Sequence, residues 1–207
     1  MPDPEIWSLN SKKGWPKIDY DAGIWIPCPA PDEGDQTRNQ RWASNYATVW
    51  WEVSGFKHGK KQVRNMAEGL LEIQRGIYAT QPCHSAVLHM PNVDVLPLPV
   101  MVATWEAVGD QDSQLRVLVH ADEPEAVETP LVEPFTAEQL GTGLKSQYLQ
   151  KFEQGPDLTG VVNYAWRVPD METDVRVFTA CGDLGRLQAA MPDIDQLTNT
   201  ISVEPLL

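Results

Sequence analysis

Val162-Asn163-Tyr164-Ala165-Trp166-Arg167-Val168, followed by Val175-Arg176-Val177-Phe178-Thr179, decides the fold of this 207-residue chain. In the first run Val162, Tyr164, Trp166 and Val168 alternate with Asn163, Ala165 and Arg167. Successive side chains of a strand point to opposite faces, so the run reads as a strand with one apolar side. Pro169 to Asp174 is polar and opens on proline, as a reversing connection does. The second run is β-branched and aromatic. Together they predict a β-hairpin with a loop of about six residues, long for a hairpin.

The chain beyond this hairpin predicts a helix and a last strand. Gly182 closes the second strand, and the carboxylate of Asp183 suits a helix N-cap. Leu184, Leu187 and Met191 share one helical face, and Ile194 and Leu197 extend it. Pro192 is expected to kink that helix or to begin a second one. Ile201-Ser202-Val203 reads as a short terminal strand. Thr159 to Glu204 therefore forms a strand, turn, strand, helix, strand series that needs a larger sheet to close on.

The earlier chain supplies the remaining elements. Ile6–Leu9 and the region Ile18–Ile26 read as short strands, the better one over Ala22–Pro27. Pro27, Pro29 and Pro31 then break regular structure. Gln36 to Ser54 reads as a helix with Trp42, Tyr46, Val49 or Trp50, and Val53 on one stripe, entered from Asp32–Asp35 and stopped by Gly55. Gln62 to Ala79 reads as a second helix, with Val63, Met66, Leu70, Ile73 and Ile77 inward. Gly69 and Gly76 each weaken it by about 1 kcal/mol relative to alanine, unless Gly69 serves close packing. Ala86–Met90, Val100–Ala107, Leu115–Val119 and Leu144–Phe152 read as strands, with a hairpin turn at Gly109–Asp112. Val127 and Val132 suggest a short edge segment. Gly155-Pro156-Asp157 leads into the last third of the chain.

Length and composition fit one domain over residues 1–207, large enough to bury a core without staples. Cys28, Cys83 and Cys181 are an odd, widely spaced set, which argues against a disulfide framework and for a reducing compartment. Met1-Pro2-Asp3-Pro4-Glu5 has neither a basic start nor an apolar core, so no secretory signal is expected. No apolar run approaches the roughly 20 residues that span a bilayer. The expected location is the cytoplasm. The net charge is −13. Residues 1–80 hold ten acids and ten bases, whereas residues 81–207 hold nineteen acids and six bases. Such a surface repels nucleic acid and anionic lipid; it either aids solubility or docks a basic partner.

No residue set announces a reaction. Cys83, His84 and His89 cluster metal-type side chains, but structural zinc needs four ligands in paired spacings, and nothing nearby completes a set. His84, Asp94 and Ser85 have the residue types of a triad without a nucleophile elbow. Gly141-Thr142-Gly143 lacks the third glycine and the following helix of a dinucleotide site and reads as a turn. No catalytic residue, metal or cofactor is expected. Trp42, Tyr46 and Trp51 are the candidate binding residues. Indoles on a helix ordinarily pack on a sheet, but Trp51 lies off the main stripe and is expected at a pocket or contact surface.

Three segments carry a resemblance. They are Ile24–Trp51, with Pro-Cys-Pro leading into a tryptophan-rich helix; Val87–Glu106, with Leu88-His89-Met90-Pro91 and Leu96-Pro97-Leu98-Pro99-Val100; and Tyr164–Val203, with Tyr-Ala-Trp-Arg-Val-Pro and Asp183-Leu184-Gly185-Arg186. They resemble an uncharacterised actinobacterial family of unknown function, from which no residue role carries over. In element order the chain also resembles the PsbP-like fold, an antiparallel sheet sandwiched by helices whose known members bind other proteins. Fold alone does not assign function.

The expected architecture is α+β, a central antiparallel sheet of about six or seven strands with helices from Gln36, Gln62 and Leu184 packed on it. The expected role is a non-catalytic protein-binding module. The alternatives are a hydrolase-type enzyme using His84, His89 or His120 in a cleft, and a structural homo-oligomer joined at sheet edges near Pro97 and Pro99.

Overall fold

The computed structural model describes residues 14–32, 34–80, 83–151 and 158–205. The strand expected at Ile6–Leu9 and the connection at Gly155-Pro156-Asp157 lie outside them. In chain order the elements are β1 (Gly14–Lys17), β2 (Trp25–Cys28), α1 (Gln36–Val53), α2 (Lys60–Thr80), β3 (Ser85–His89), β4 (Leu98–Glu106), α3 (Gln111–Leu118), β5 (Leu131–Ala137), β6 (Gly141–Gln150), β7 (Thr159–Val168), β8 (Thr173–Cys181), α4 (Leu184–Asn199) and β9 (Ser202–Pro205). The chain is α+β with antiparallel strands, as expected. It divides into two compact units, one of residues Met1–Tyr20 with Val100–Leu207 and one of Asp21–Pro99.

The larger unit is built on the predicted hairpin. β7 and β8 pair from Gly160↔Cys181 to Val168↔Thr173, and neighbours extend them in the order β4-β8-β7-β6-β5. The connection is shorter than the sequence suggests. A single 3₁₀ turn, Pro169–Met171, and a left-handed Glu172 (φ 45°) reverse the chain. The alternation in β7 also misleads, because both of its faces are buried, Asn163 as fully as Tyr164. Helices on both sides of the sheet cause this. The Ser146 hydroxyl, on the Asn163 side, donates to the Val119 carbonyl just after α3. On the Tyr164 side, Lys145 and Tyr164 both donate to Asp195 of α4.

α3 replaces the strand expected at Leu115–Val119. Asp110 caps it by accepting from the Ser113 amide at 2.9 Å, and Leu115 and Leu118 bury one helical face. A local cap and a three-residue apolar spacing outweigh the β-branched content of a short run. α4 is capped by Asp183 as expected, but it runs through Pro192 as one helix. Ile194 and Leu197 are buried beyond the proline, and this packing outweighs the lost backbone bond. β9 joins β1 in a two-stranded sheet of their own rather than closing the large sheet. Gly141-Thr142-Gly143, expected as a turn, opens β6; the turn falls on residues 138–140.

In the smaller unit β2 and β3 pair antiparallel, and α1 packs against α2. With the five strands above they make seven, within the expected number. The inward stripe of α1 is Ala43, Ala47 and Trp50, while Val53 is 74% exposed. The small alanines set α1 closer to its neighbours than the larger residues of the expected stripe would allow. Pro27 lies within β2, and its carbonyl accepts from the Trp42 indole at 2.9 Å.

Candidate functional site

The first candidate lies between α1 and α2. Gln40, Ser44 and Thr48 recur every four residues along α1 and so share one face. They meet Val63, Ala67 and Leu71 of α2 across a groove of about 720 Å³. His58, Lys60, Arg64 and Glu68 rim it. Between Lys57 and Arg64 stand four cations and no acid, on a chain of net charge −13. No acid occupies the first turn of α2. A helix N-terminus already carries partial positive charge, so cations there are locally unfavourable by a few tenths to about 1 kcal/mol each. Arg64 reaches Glu68 at 3.7 Å, an exposed pair that offsets little of this.

Each candidate aromatic has a distinct environment. Trp42 is half-buried with its indole N–H on the Pro27 carbonyl. Tyr46 lies between Trp42 and Trp50, ring centroids 6.2 Å away on either side. Trp50 is buried and donates to the Met90 carbonyl at 2.8 Å. These rings pack α1 down. Trp51 turns the other way. Its ring lies 5.6 Å from that of the groove residue His58, and its indole N–H is buried with no hydrogen-bond partner among the described residues. Buried polar groups are normally satisfied, and leaving one unmade costs about 1–3 kcal/mol.

The histidines separate as well. His84 precedes β3 and Asp94 lies in the loop beyond its far end, so the triad types are not assembled. His89 is buried within β3, its ring 4.8 Å from that of Trp25. His120 meets a carboxylate, with Nδ1 2.7 Å from Glu123 Oε2. It sits at a positive φ of 55°, sparsely populated for a residue with a side chain.

His120 stands beside a second candidate site, a polar cluster on the α3 side of the large sheet. Register places Ser146 beside Asn163, and Asn163 beside Phe178. Arg176, two residues from Phe178 on the same face, directs Nε and Nη2 onto Asn163 Oδ1 at 3.1 and 2.6 Å. Its guanidinium also lies 4.5 Å over the Phe178 ring. Among the described residues no carboxylate lies within 4.0 Å of it. Burial pulls Arg176 down to about 10, with Tyr148 and Glu123 acting against that shift. Burial and the Arg176 charge hold His120 below its usual range, against its bond to Glu123. The phenol of Tyr148 is raised, first by burial and then by Glu123.

Sequence reasoning missed Arg176, Asn163, Ser146, Tyr148 and Glu123. The available signal was that Asn163 and Arg176 sit in phase on two strands predicted to pair; assigning that face to solvent concealed it. On the opposite face Lys145, Tyr164 and Asp195 form a closed group of 2.5–3.2 Å bonds, with Phe135 edge-on to Tyr164. Here the Lys145 charge is paired with a carboxylate, as, among the described residues, that of Arg176 is not.

Among the described residues no three His, Cys, Asp or Glu side chains are placed to hold a metal ion, and none of their helices is long and apolar enough to cross a membrane. No family model and no curated protein matches the sequence.

Proposed function

We propose that the chain is a non-catalytic protein-binding module whose docking surface is the α1–α2 groove. The observation that carries this reading is the run of four cations at the N-terminal mouth of α2, beside an apolar floor of Val63, Ala67 and Leu71. An acidic amphipathic segment suits both features. Its carboxylates meet Lys60, Lys61 and Arg64 at the positive end of the α2 dipole. Its apolar side covers the floor, as in other helix-in-groove contacts. Trp51 backs the mouth through its ring contact with His58. Trp42 and Tyr46 hold the platform rather than touch the partner.

Fluorescence anisotropy with a labelled acidic amphipathic peptide tests the reading. Affinity in the micromolar range that weakens steeply with salt is expected. The Lys60→Glu/Lys61→Glu/Arg64→Glu variant is expected to lose at least tenfold. Equal binding by that variant, or by a basic peptide of the same pattern, counts against the groove.

One observation favours a catalytic reading, the His120–Glu123 contact at 2.7 Å. It lacks an activated nucleophile: the nearby Ser146 hydroxyl already donates to the Val119 carbonyl and accepts from Asn163. A general base has to reach the proton it removes.

A further inference from the structure

We propose that half-buried Arg176, with Asn163 and Tyr148 beside it, is a binding site for a small monocarboxylate. It lies wholly in the larger unit, so it stands or falls independently of the α1–α2 groove.

The argument begins with the charge on Arg176. A guanidinium carries five N–H donors. Here Nε and Nη2 share a single amide oxygen, Asn163 Oδ1, and no bond engages Nη1 among the described residues. Every nearby carboxylate is committed elsewhere. Asp174, on the same face two residues away, takes both its oxygens to Arg167. Glu123 takes Oε2 to His120 and Oε1 to the Glu125 amide. A cation taken out of water is costly unless a counter-charge and hydrogen bonds replace its hydration. The protein supplies one amide oxygen and a ring face, and leaves a planar donor edge unused.

Arg176 is half-buried and not sealed in the core, so its unused donors stay within reach of a ligand. Tyr148, buried on β6, brings a phenol next to the same Asn163. The His120 side chain, 35% exposed, and Glu123, 15% exposed, lie close enough to act electrostatically on Arg176 or be acted on by it.

These groups select the ligand. A carboxylate matches the planar donor edge of a guanidinium and can take a further bond from the Tyr148 hydroxyl. The neighbouring Glu123 charge penalises a second negative charge, which favours a monoanion over a phosphate dianion.

The test is a titration of the full chain with sodium acetate at constant ionic strength, read from the Nε–Hε resonances of its arginines by NMR. A saturable shift of Arg176 in the millimolar range is expected, with Arg167 unmoved because Asp174 already occupies it. Binding is expected to strengthen as pH falls and His120 gains a proton, and the His120 midpoint is expected to rise when acetate is bound. Arg176→Gln should abolish saturation. Tyr148→Phe, which keeps the ring, should weaken binding several-fold, and it serves where the Arg176 variant fails to fold. A linear, unsaturable response, an equal response at Arg167, or tighter binding of inorganic phosphate than of acetate overturns the proposal.

Discussion

Arg167 grips the fully buried carboxylate of Asp174 at both oxygens, 2.7 Å from Nε and 2.8 Å from Nη2, and directs its outer nitrogens onto the Val108 and Gly109 carbonyls at 2.9 Å. One side chain thus joins β7, β8 and the turn that leads into α3. The pair also explains why the chain can reverse so tightly after Val168: Arg167 and Asp174 are register partners across the hairpin.

Breaking this pair from one side leaves an uncompensated charge. Arg167→Ala and Asp174→Ala are each expected to destabilise the protein by about 3–5 kcal/mol. Replacing both by apolar residues of similar size is expected to cost much less than the sum of the two. Urea denaturation of the single and double variants measures this. Strict additivity would show that the two residues do not act as a pair.

Two glycines are expected to respond in opposite directions. A Cβ on Gly143 would collide with the Ala165 carbonyl and come within 2.6 Å of Trp166 Cδ1, because the indole lies across the glycine. Gly143→Ala should cost about 1–3 kcal/mol. A Cβ on Gly69, within α2, meets nothing within 4 Å among the described residues, so none of them packs closely on it. Gly69→Ala should stabilise by about 1 kcal/mol, the ordinary helix propensity difference. Thermal denaturation of the two variants reads both signs.

His120 gives the stability a pH dependence of definite sign. Its folded pKa lies below the ordinary 6.5, first because of burial and then because of Arg176, with Glu123 opposing. Above that ordinary value both folded and unfolded states hold the ring neutral. As pH falls through it, the unfolded chain takes up the proton first, and stability decreases until the folded ring titrates too. His120→Gln should remove this part of the slope. Arg176→Gln should raise the His120 midpoint, which NMR reads directly. A midpoint unmoved by loss of that cation would show that Arg176 does not act on His120.

Two thiols are expected to be inert. Burial pushes Cys28 up to about 12, with Cys83 nearby adding to the shift, and pushes Cys83 itself up to about 11. The thiolate is the reactive form, so alkylation of both by iodoacetamide at mildly alkaline pH should be roughly a hundredfold or more slower than in the unfolded chain. Mass spectrometry of peptides after timed quenching reports each site. Rapid labelling of Cys28 in the folded protein would show that the interior around it opens.

By itself the sequence determined the elements whose signals are local: the β7–β8 hairpin from alternation, the Asp183 cap, and helices α1, α2 and α4 from their apolar spacing. These depend on neighbours within a few residues, so they are written in the order of the chain. Only the tertiary structure decided which polar strand residues face water. Asn163 and Arg176 alternate with apolar neighbours as an exposed face would, yet both lie beneath the α3 side of the sheet, where one amide oxygen and one aromatic ring take up a buried charge. Burial depends on the layers that cover a strand, and here the cover over β7 is α3, a helix where the β-branched run Leu115–Val119 suggests a strand. The polar cluster around Arg176 follows from that coverage, since its members come from β6, β7, β8 and the segment after α3 and become neighbours only when the sheet is paired and covered.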